Sequence, residues 1–247
     1  MPLYRSDAFV LRTYTLGEAD QIVVLFTREF GKIRAVARRS HSPRRHTASY
    51  YQPLLLLHAI FFGRPTQSLF RLNTVDLVQS FRQLHEDFSL LRSGLYLTEL
   101  LDATTQEREP MPELFTLFQE ALAELAQASQ PAVVLRLFEL RVLMAIGYTP
   151  QLLHCARCTR DLQPHERTFS PHLGGLICQS CAPAVRQTFT VSAAALEALR
   201  QAMSSEATNM PPLQVSAAGH QELERLLHAH LTVCLGRELK SYAFLHL

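Results

Sequence analysis

Four cysteines, Cys155, Cys158, Cys178 and Cys181, form two C-x2-C pairs with 19 residues between them. That spacing falls in the range of four-cysteine metal sites. Each short pair offers two thiolates to one ion from a single turn, and two such turns complete a tetrahedron. With all four positions filled by protein, the expected ion is one structural zinc with no open position for water or substrate. Disulfides are the competing chemistry, and the opening Met1-Pro-Leu-Tyr-Arg, which leads into no apolar block, disfavours the oxidising compartment they need. A redox C-x-x-C accompanies a βαβ pattern, whereas here there are two pairs and no such pattern. His154, His165 and His172 read as loop residues beside four cysteines. Cys234 falls on the apolar face of a predicted helix and reads as core.

No other constellation points to bond-making chemistry. Neither G-x-x-x-x-G-K-S/T nor G-x-G-x-x-G occurs, and nine glycines leave little room for a phosphate loop. H-E-x-x-H and G-x-S-x-G are missing, Pro183 follows the second cysteine pair where a zinc deaminase needs a proline before it, and the eleven histidines are scattered. The expectation is a protein that binds and does not catalyse.

Charge points to what it binds. Net charge is only +2, yet residues 1–50 hold nine basic side chains against four acidic ones, which gives +5 there and −3 elsewhere. Such asymmetry marks a polyanionic partner for the N-terminal part. No apolar run approaches the roughly 20 residues of a membrane helix, so no membrane partner is expected and the location expected is cytoplasmic.

The elements that must position these groups follow from periodicity. Asp7 to Thr15 alternates, Leu16 to Ala19 turns, and Asp20 to Arg28 is rich in branched and aromatic residues, which predicts a hairpin. Lys32 to Arg39 alternates again, with Lys32, Arg34, Val36 and Arg38 on one side and Ile33, Ala35 and Ala37 on the other. Leu54 to Phe62 and Ser68 to Gln79 follow. Five antiparallel strands within about 75 residues predict a small closed barrel of the oligonucleotide-binding OB type. Tyr14, Phe26, Phe30, Tyr50 and Tyr51 are interleaved with the cations, and of these the tyrosines are the better candidates for stacking on bases.

After Phe81 the period changes to that of helices. Leu90 to Leu101, Leu114 to Leu125 and Val133 to Met144 each present one apolar face, broken by Arg108 to Pro112 and by Pro131. Residues 148–190 show neither period. Ser192 then reads as an N-cap, and the last helix runs to Gly236. The predicted fold is multidomain α+β: an N-terminal OB-fold barrel (1–80), a C-terminal helical bundle (81–148 and 190–247) and an inserted four-cysteine zinc module (149–189).

Several stretches in this order resemble the RecO family of bacterial recombination mediators over essentially the whole chain. They are Gly17-Glu18-Ala19-Asp20, Leu25-Phe26-Thr27-Arg28, Phe30 to Arg38, Tyr51-Gln52-Pro53-Leu54, Arg136-Leu-Phe-Glu139 with Gly147-Tyr148, both cysteine pairs and Leu239-Lys240-Ser241. The resemblance implies a protein without ATP or covalent chemistry that binds single- and double-stranded DNA (ssDNA and dsDNA) and anneals complementary strands. It implies action with RecR to load RecA onto DNA coated by the single-strand-binding protein SSB, in a cytoplasmic, nucleoid-associated setting. Carried onto this chain, Lys32, Arg34, Arg38, Arg39, Arg44 and Arg45 meet phosphates, and Arg136 is the candidate for the acidic, Phe-ending SSB tail. The chain departs from the family pattern between Ser40 and Tyr50, where the usual glycine after the basic strand is missing. The reading of a different class is a scaffold whose basic face serves acidic partner tails.

Overall fold

The structure, a computed structural model, describes residues 2–17, 20–38, 50–64, 66–204 and 215–246. Five strands, β1 (Leu3–Leu16), β2 (Asp20–Thr27), β3 (Gly31–Arg38), β4 (Leu56–Phe62) and β5 (Phe70–Gln79), close into a barrel of order β1-β2-β3-β5-β4. β1 serves two partners because it is long. Leu3 to Phe9 pairs with β4 and Ala8 to Leu16 with β2, with a register shift between Val10 and Arg12. The barrel closes through β3 and β5, which run parallel at Ala35↔Phe70, a departure from the all-antiparallel expectation. Alternate residues Ala8, Val10, Val23, Leu25, Ile33, Ala35 and Ala37 fill the interior, as a period of two dictates.

The outer face of the same strands carries two large rings that need cover of their own. Phe9 and Phe26 are fully buried against α3 (Pro112–Leu125), Phe9 lying 5.0 Å from Phe115 and 4.8 Å from Phe118 between ring centroids. Between the barrel and α3 come α1 (Arg82–Glu86) and α2 (Phe88–Thr104), the latter capped by Asp87 Oδ1, which accepts from Leu90 N–H. The loop from α2 to α3 runs along β3, where Arg108 N–H donates to Lys32 C=O at 2.9 Å. Gly31 makes that approach possible: its φ is +64°, and a Cβ there would sit 2.1 Å from Glu109 O. A short 3₁₀ turn, Lys240–Phe244, is held by Glu99, whose carboxylate accepts from the N–H groups of Lys240 and Ser241 and from the Ser241 hydroxyl.

Packing therefore makes one compact unit of Met1–Ala128 with Lys240–Leu247, and a second of Ser129–Leu239. Periodicity alone divides the chain in three. It reveals element types but not that α3 must cover the barrel's outer phenylalanines.

The second unit contains α4 (Pro131–Ala145), α5 (Ala193–Ser204) and α6 (Ala217–Leu235), with a small sheet of order β7-β6-β8. Its strands, β6 (Thr168–Ser170), β7 (Gly175–Ile177) and β8 (Phe189–Thr190), are two or three residues long, too short to show a period in the sequence. Ser192 Oγ accepts from Ala195 N–H and Gly236 ends α6 at φ +65°, as the sequence predicts. The cysteine module is tied to this helical frame at named points. Both ring nitrogens of buried His230 face carbonyl oxygens, Nε2 that of Tyr148 at 2.9 Å and Nδ1 that of Pro171 at 3.3 Å. Arg200 donates to Leu152 C=O at 3.0 Å, and Glu222 accepts from Ser192 N–H at 2.8 Å. Among the described residues no helix is long and apolar enough to cross a membrane.

Candidate metal centre and basic face

The two C-x2-C pairs fold into two tight turns. Thr159 N–H donates to Cys155 C=O at 2.8 Å, and Cys181 N–H and Ala182 N–H both donate to Cys178 C=O at 3.0 Å. These turns gather the four Sγ atoms within 4.8 Å of one another, with Cys158 Sγ 3.8 Å from Cys178 Sγ. A tetrahedron with metal–sulfur bonds of about 2.3 Å has sulfur–sulfur edges of about 3.8 Å, so the cluster could hold a tetrahedral metal ion. Protonation within the cluster agrees. Burial opposes the Cys155 thiolate, but backbone N–H groups of Cys158, Cys178 and Arg157 outweigh it and hold that thiol down at about 6. Cys181 is pushed up to about 12 by its hydrogen bond to Cys178 and by burial. Sulfurs this close must share protons, and a dication takes the place of those protons. His154, His165 and His172 are exposed and stand outside the cluster. Cys234 lies half-buried on α6 with its thiol pushed up to about 11 by burial, which makes it inert.

Of the six cations expected on a basic face, the described residues show Arg34 and Arg38 exposed on the barrel's outer side and Lys32 withdrawn. Across β1, β2 and β3 the register aligns Arg12–Val24–Arg34, Tyr14–Ile22–Val36 and Leu16–Asp20–Arg38 on the outer side. Arg12, Arg34, Arg38 and Tyr14 are exposed there. The next row in the other direction is Phe9–Phe26–Lys32, and it is buried. Lys32 Nζ donates to Asp102 Oδ1 at 3.0 Å and to Asp102 C=O at 2.7 Å, so this expected phosphate ligand is turned into the protein. Arg34 pairs with Glu107, both side chains remaining well exposed. Arg39, Arg44 and Arg45 lie outside the described residues. Of the candidate stacking rings, Phe26 packs on α3, Phe30, Tyr50 and Tyr51 pack against the barrel core, and Tyr14 alone is open, at 44% exposure. Arg12, which lies over the Tyr14 ring at 5.2 Å, was not among the expected contacts; only the β1–β2 register reveals it.

Arg136 is not a surface residue. It is buried at 2% exposure in α4, its guanidinium 2.7 Å from Glu139 and 3.5 Å from Glu224, so it ties α4 to α6 and presents nothing to an incoming tail. An apolar helix face hides this in the sequence, because Arg136 and Glu139 look solvated until α6 covers them. An open groove of about 720 Å³ lies elsewhere in the second unit, lined by Phe189, Val233, Arg225, Arg237, His172 and His228 and by no carboxylate. Arg225 stacks on Phe189 at 4.5 Å.

Comparison with known proteins follows the same two parts. Residues 1–81 match the family described as Recombination protein O N terminal, and residues 85–243 match Recombination protein O C terminal. The DNA repair protein RecO of Symbiobacterium thermophilum is 34% identical over 249 residues, covering 99% of this chain and 97% of that one. The DNA repair protein RecO of Myxococcus xanthus is 34% identical over 247 residues, with 99% and 98% covered. That of Bacillus pumilus is 31% identical over 245 residues, with 99% and 94% covered.

Proposed function

The chain belongs to the RecO family of DNA repair and recombination proteins, and from that membership we propose that it is a non-enzymatic mediator of recombinational repair. It binds single- and double-stranded DNA, anneals complementary strands and, with RecR, helps load RecA onto SSB-coated DNA at the nucleoid. The observation that carries this reading is the exposed outer face of β1 to β3, where three arginines surround one open tyrosine ring. Binders of single strands combine a cationic track for phosphates with rings on which bases stack. Arg34 and Arg38 meet phosphates, continued by Arg39, Arg44 and Arg45 and joined by Arg12, while Tyr14 takes a base. Lys32 supports the face from beneath.

The four cysteines hold one structural zinc, which fixes the 149–189 module on its helical frame. The acidic, Phe-ending SSB tail fits the groove beside Phe189, whose arginines match its charge and whose apolar floor matches its ring. Residues 1–80 act on DNA, and 81–148 with 190–247 act on protein partners.

The test is a titration of single-stranded oligonucleotide across a salt series. Affinity is expected to fall steeply with salt, and Arg38→Ala to weaken binding on all sequences and flatten the salt slope by about one. One observation favours a second reading, a scaffold with little affinity for bare DNA: Arg12, Lys32 and Arg34 already have carboxylate partners in Asp102 and Glu107. Negligible binding at moderate salt, with tail binding retained, is the outcome that selects it.

A further inference from the structure

The cysteine module contains a buried carboxylate that the metal does not explain. Glu166 has a side chain 2% exposed, in a surface insert where acids are ordinarily solvated. Its Oε2 accepts from Gln163 N–H at 3.0 Å, and its Oε1 accepts from Gln179 N–H at 2.7 Å and from the Arg160 guanidinium. These partners belong to different halves of the module. Arg160 closes the first cysteine turn, its carbonyl accepting from Cys155 N–H at 2.8 Å. Gln179 is the residue after Cys178, in the second turn. The Arg160 guanidinium and Gln179 N–H meet on the same Glu166 oxygen, which brings the cation beside the residue that follows Cys178. Every direct link that Glu166 makes therefore joins one cysteine pair to the other or fixes the turn at Gln163 to Glu166 that leads between them.

We propose that Glu166 and Arg160 form a latch that sets the spacing of the two cysteine turns and orients Cys178 Sγ toward the metal, so that the affinity of the site is governed by this pair as well as by its four ligands. Two arguments support it. Four thiolates around a dication leave a net charge of −2 at a site that is half buried, and Arg160, bound to the same Glu166 oxygen as Gln179 N–H, is the cation held beside it. A guanidinium on a flexible stem holds such a position only when its fork is fixed, and the Glu166 carboxylate fixes it while its own charge is satisfied by two backbone N–H groups. Groups that hold ligands in place this way typically govern metal affinity by about 10–100-fold. The sequence carries the pair as a nearly balanced set of charges with no visible purpose.

The inference rests on the proposed metal site, and the experiment separates the two. Zinc affinity of the full chain is measured by competition with a chromophoric chelator for the unaltered protein, Glu166→Gln, Arg160→Lys and the exposed control Asp161→Asn. Cobalt absorption reports how many sulfurs bind. The expected result is a loss of about 10–100-fold for Glu166→Gln and for Arg160→Lys, no loss for Asp161→Asn, and a four-sulfur cobalt spectrum in all. Arg160→Lys, at a partly exposed side chain, keeps the test open if Glu166→Gln does not fold. Affinities within about twofold of the unaltered protein for the folded latch variants overturn the latch alone. Failure of the unaltered protein to bind zinc or cobalt overturns the metal site itself.

Discussion

Lys32 reaches Asp102 twice, through the carboxylate at 3.0 Å and the backbone carbonyl at 2.7 Å, and so joins β3 to the last turn of α2. Both side chains are mostly buried, at 11% and 14% exposure. Removing one partner of such a pair leaves the other desolvated. Lys32→Ala should lower the stability of the barrel-containing unit by about 2–4 kcal/mol, with little change in the salt slope of DNA binding. Arg38→Ala should do the reverse, costing under about 0.5 kcal/mol of stability. Denaturant unfolding and a DNA titration on both variants check this contrast.

Arg34 and Glu107 make the opposite kind of pair, with side chains 50% and 38% exposed. Water competes for such a contact, and a phosphate can replace it. On the proposed DNA face, Glu107 is then expected to act as a weak internal competitor. Glu107→Gln should tighten oligonucleotide binding at low salt by at most about fivefold, the equivalent of about 1 kcal/mol, and the gain should vanish at high salt. Unchanged affinity at low salt would remove Arg34 from the DNA face.

What the sequence made legible tracks the range of the interaction. The alternation of Lys32 to Arg38 placed Ile33, Ala35 and Ala37 inside the barrel, and the C-x2-C spacing placed four sulfurs together, because both are local patterns. Whether an outward cation meets water or a carboxylate depends on another element packed on it. Lys32 and Arg38 are indistinguishable in the alternation, yet α2 covers one and not the other. The burial of Arg136 is hidden from the sequence for the same reason, since α6 supplies Glu224 from 88 positions away. Glu166 had no signal at all. Two of its three partners are backbone N–H groups, which every residue possesses.

His230 links the cysteine module to α6 without being a metal ligand. Its two nitrogens bridge the carbonyls of Tyr148 and Pro171, and its ring packs edge-on to Phe169 at 6.0 Å. Truncation removes the ring from between these carbonyls and leaves a ring-sized void. His230→Ala should cost about 2–4 kcal/mol in the second unit. Faster amide exchange is expected first at Gly174 to Ile177, with the barrel strands unaffected. Uniform acceleration through both units would show that the link is not local.

His228, two residues before His230 on α6, gives the second unit a pH dependence of known sign. Burial lowers its value below the ordinary 6.5, and this outweighs the opposing hydrogen bond that it makes to the Glu238 carboxylate. Arg136 lowers it further, and Glu224 acts against that. A histidine with a depressed value is harder to protonate folded than unfolded. Between the folded value and 6.5 the unfolded chain therefore takes up more protons, and stability is lost as pH falls through that window. At higher pH both states are neutral and the effect disappears. Unfolding of the zinc-loaded protein followed from about pH 7.5 to about pH 5.5 should show this decline. In His228→Gln the decline should be shallower, since that variant keeps a hydrogen-bonding side chain opposite Glu238 but has no proton to gain. An equal decline in both proteins would assign it to other groups, and a steeper one in the variant would reverse the sign argued for His228.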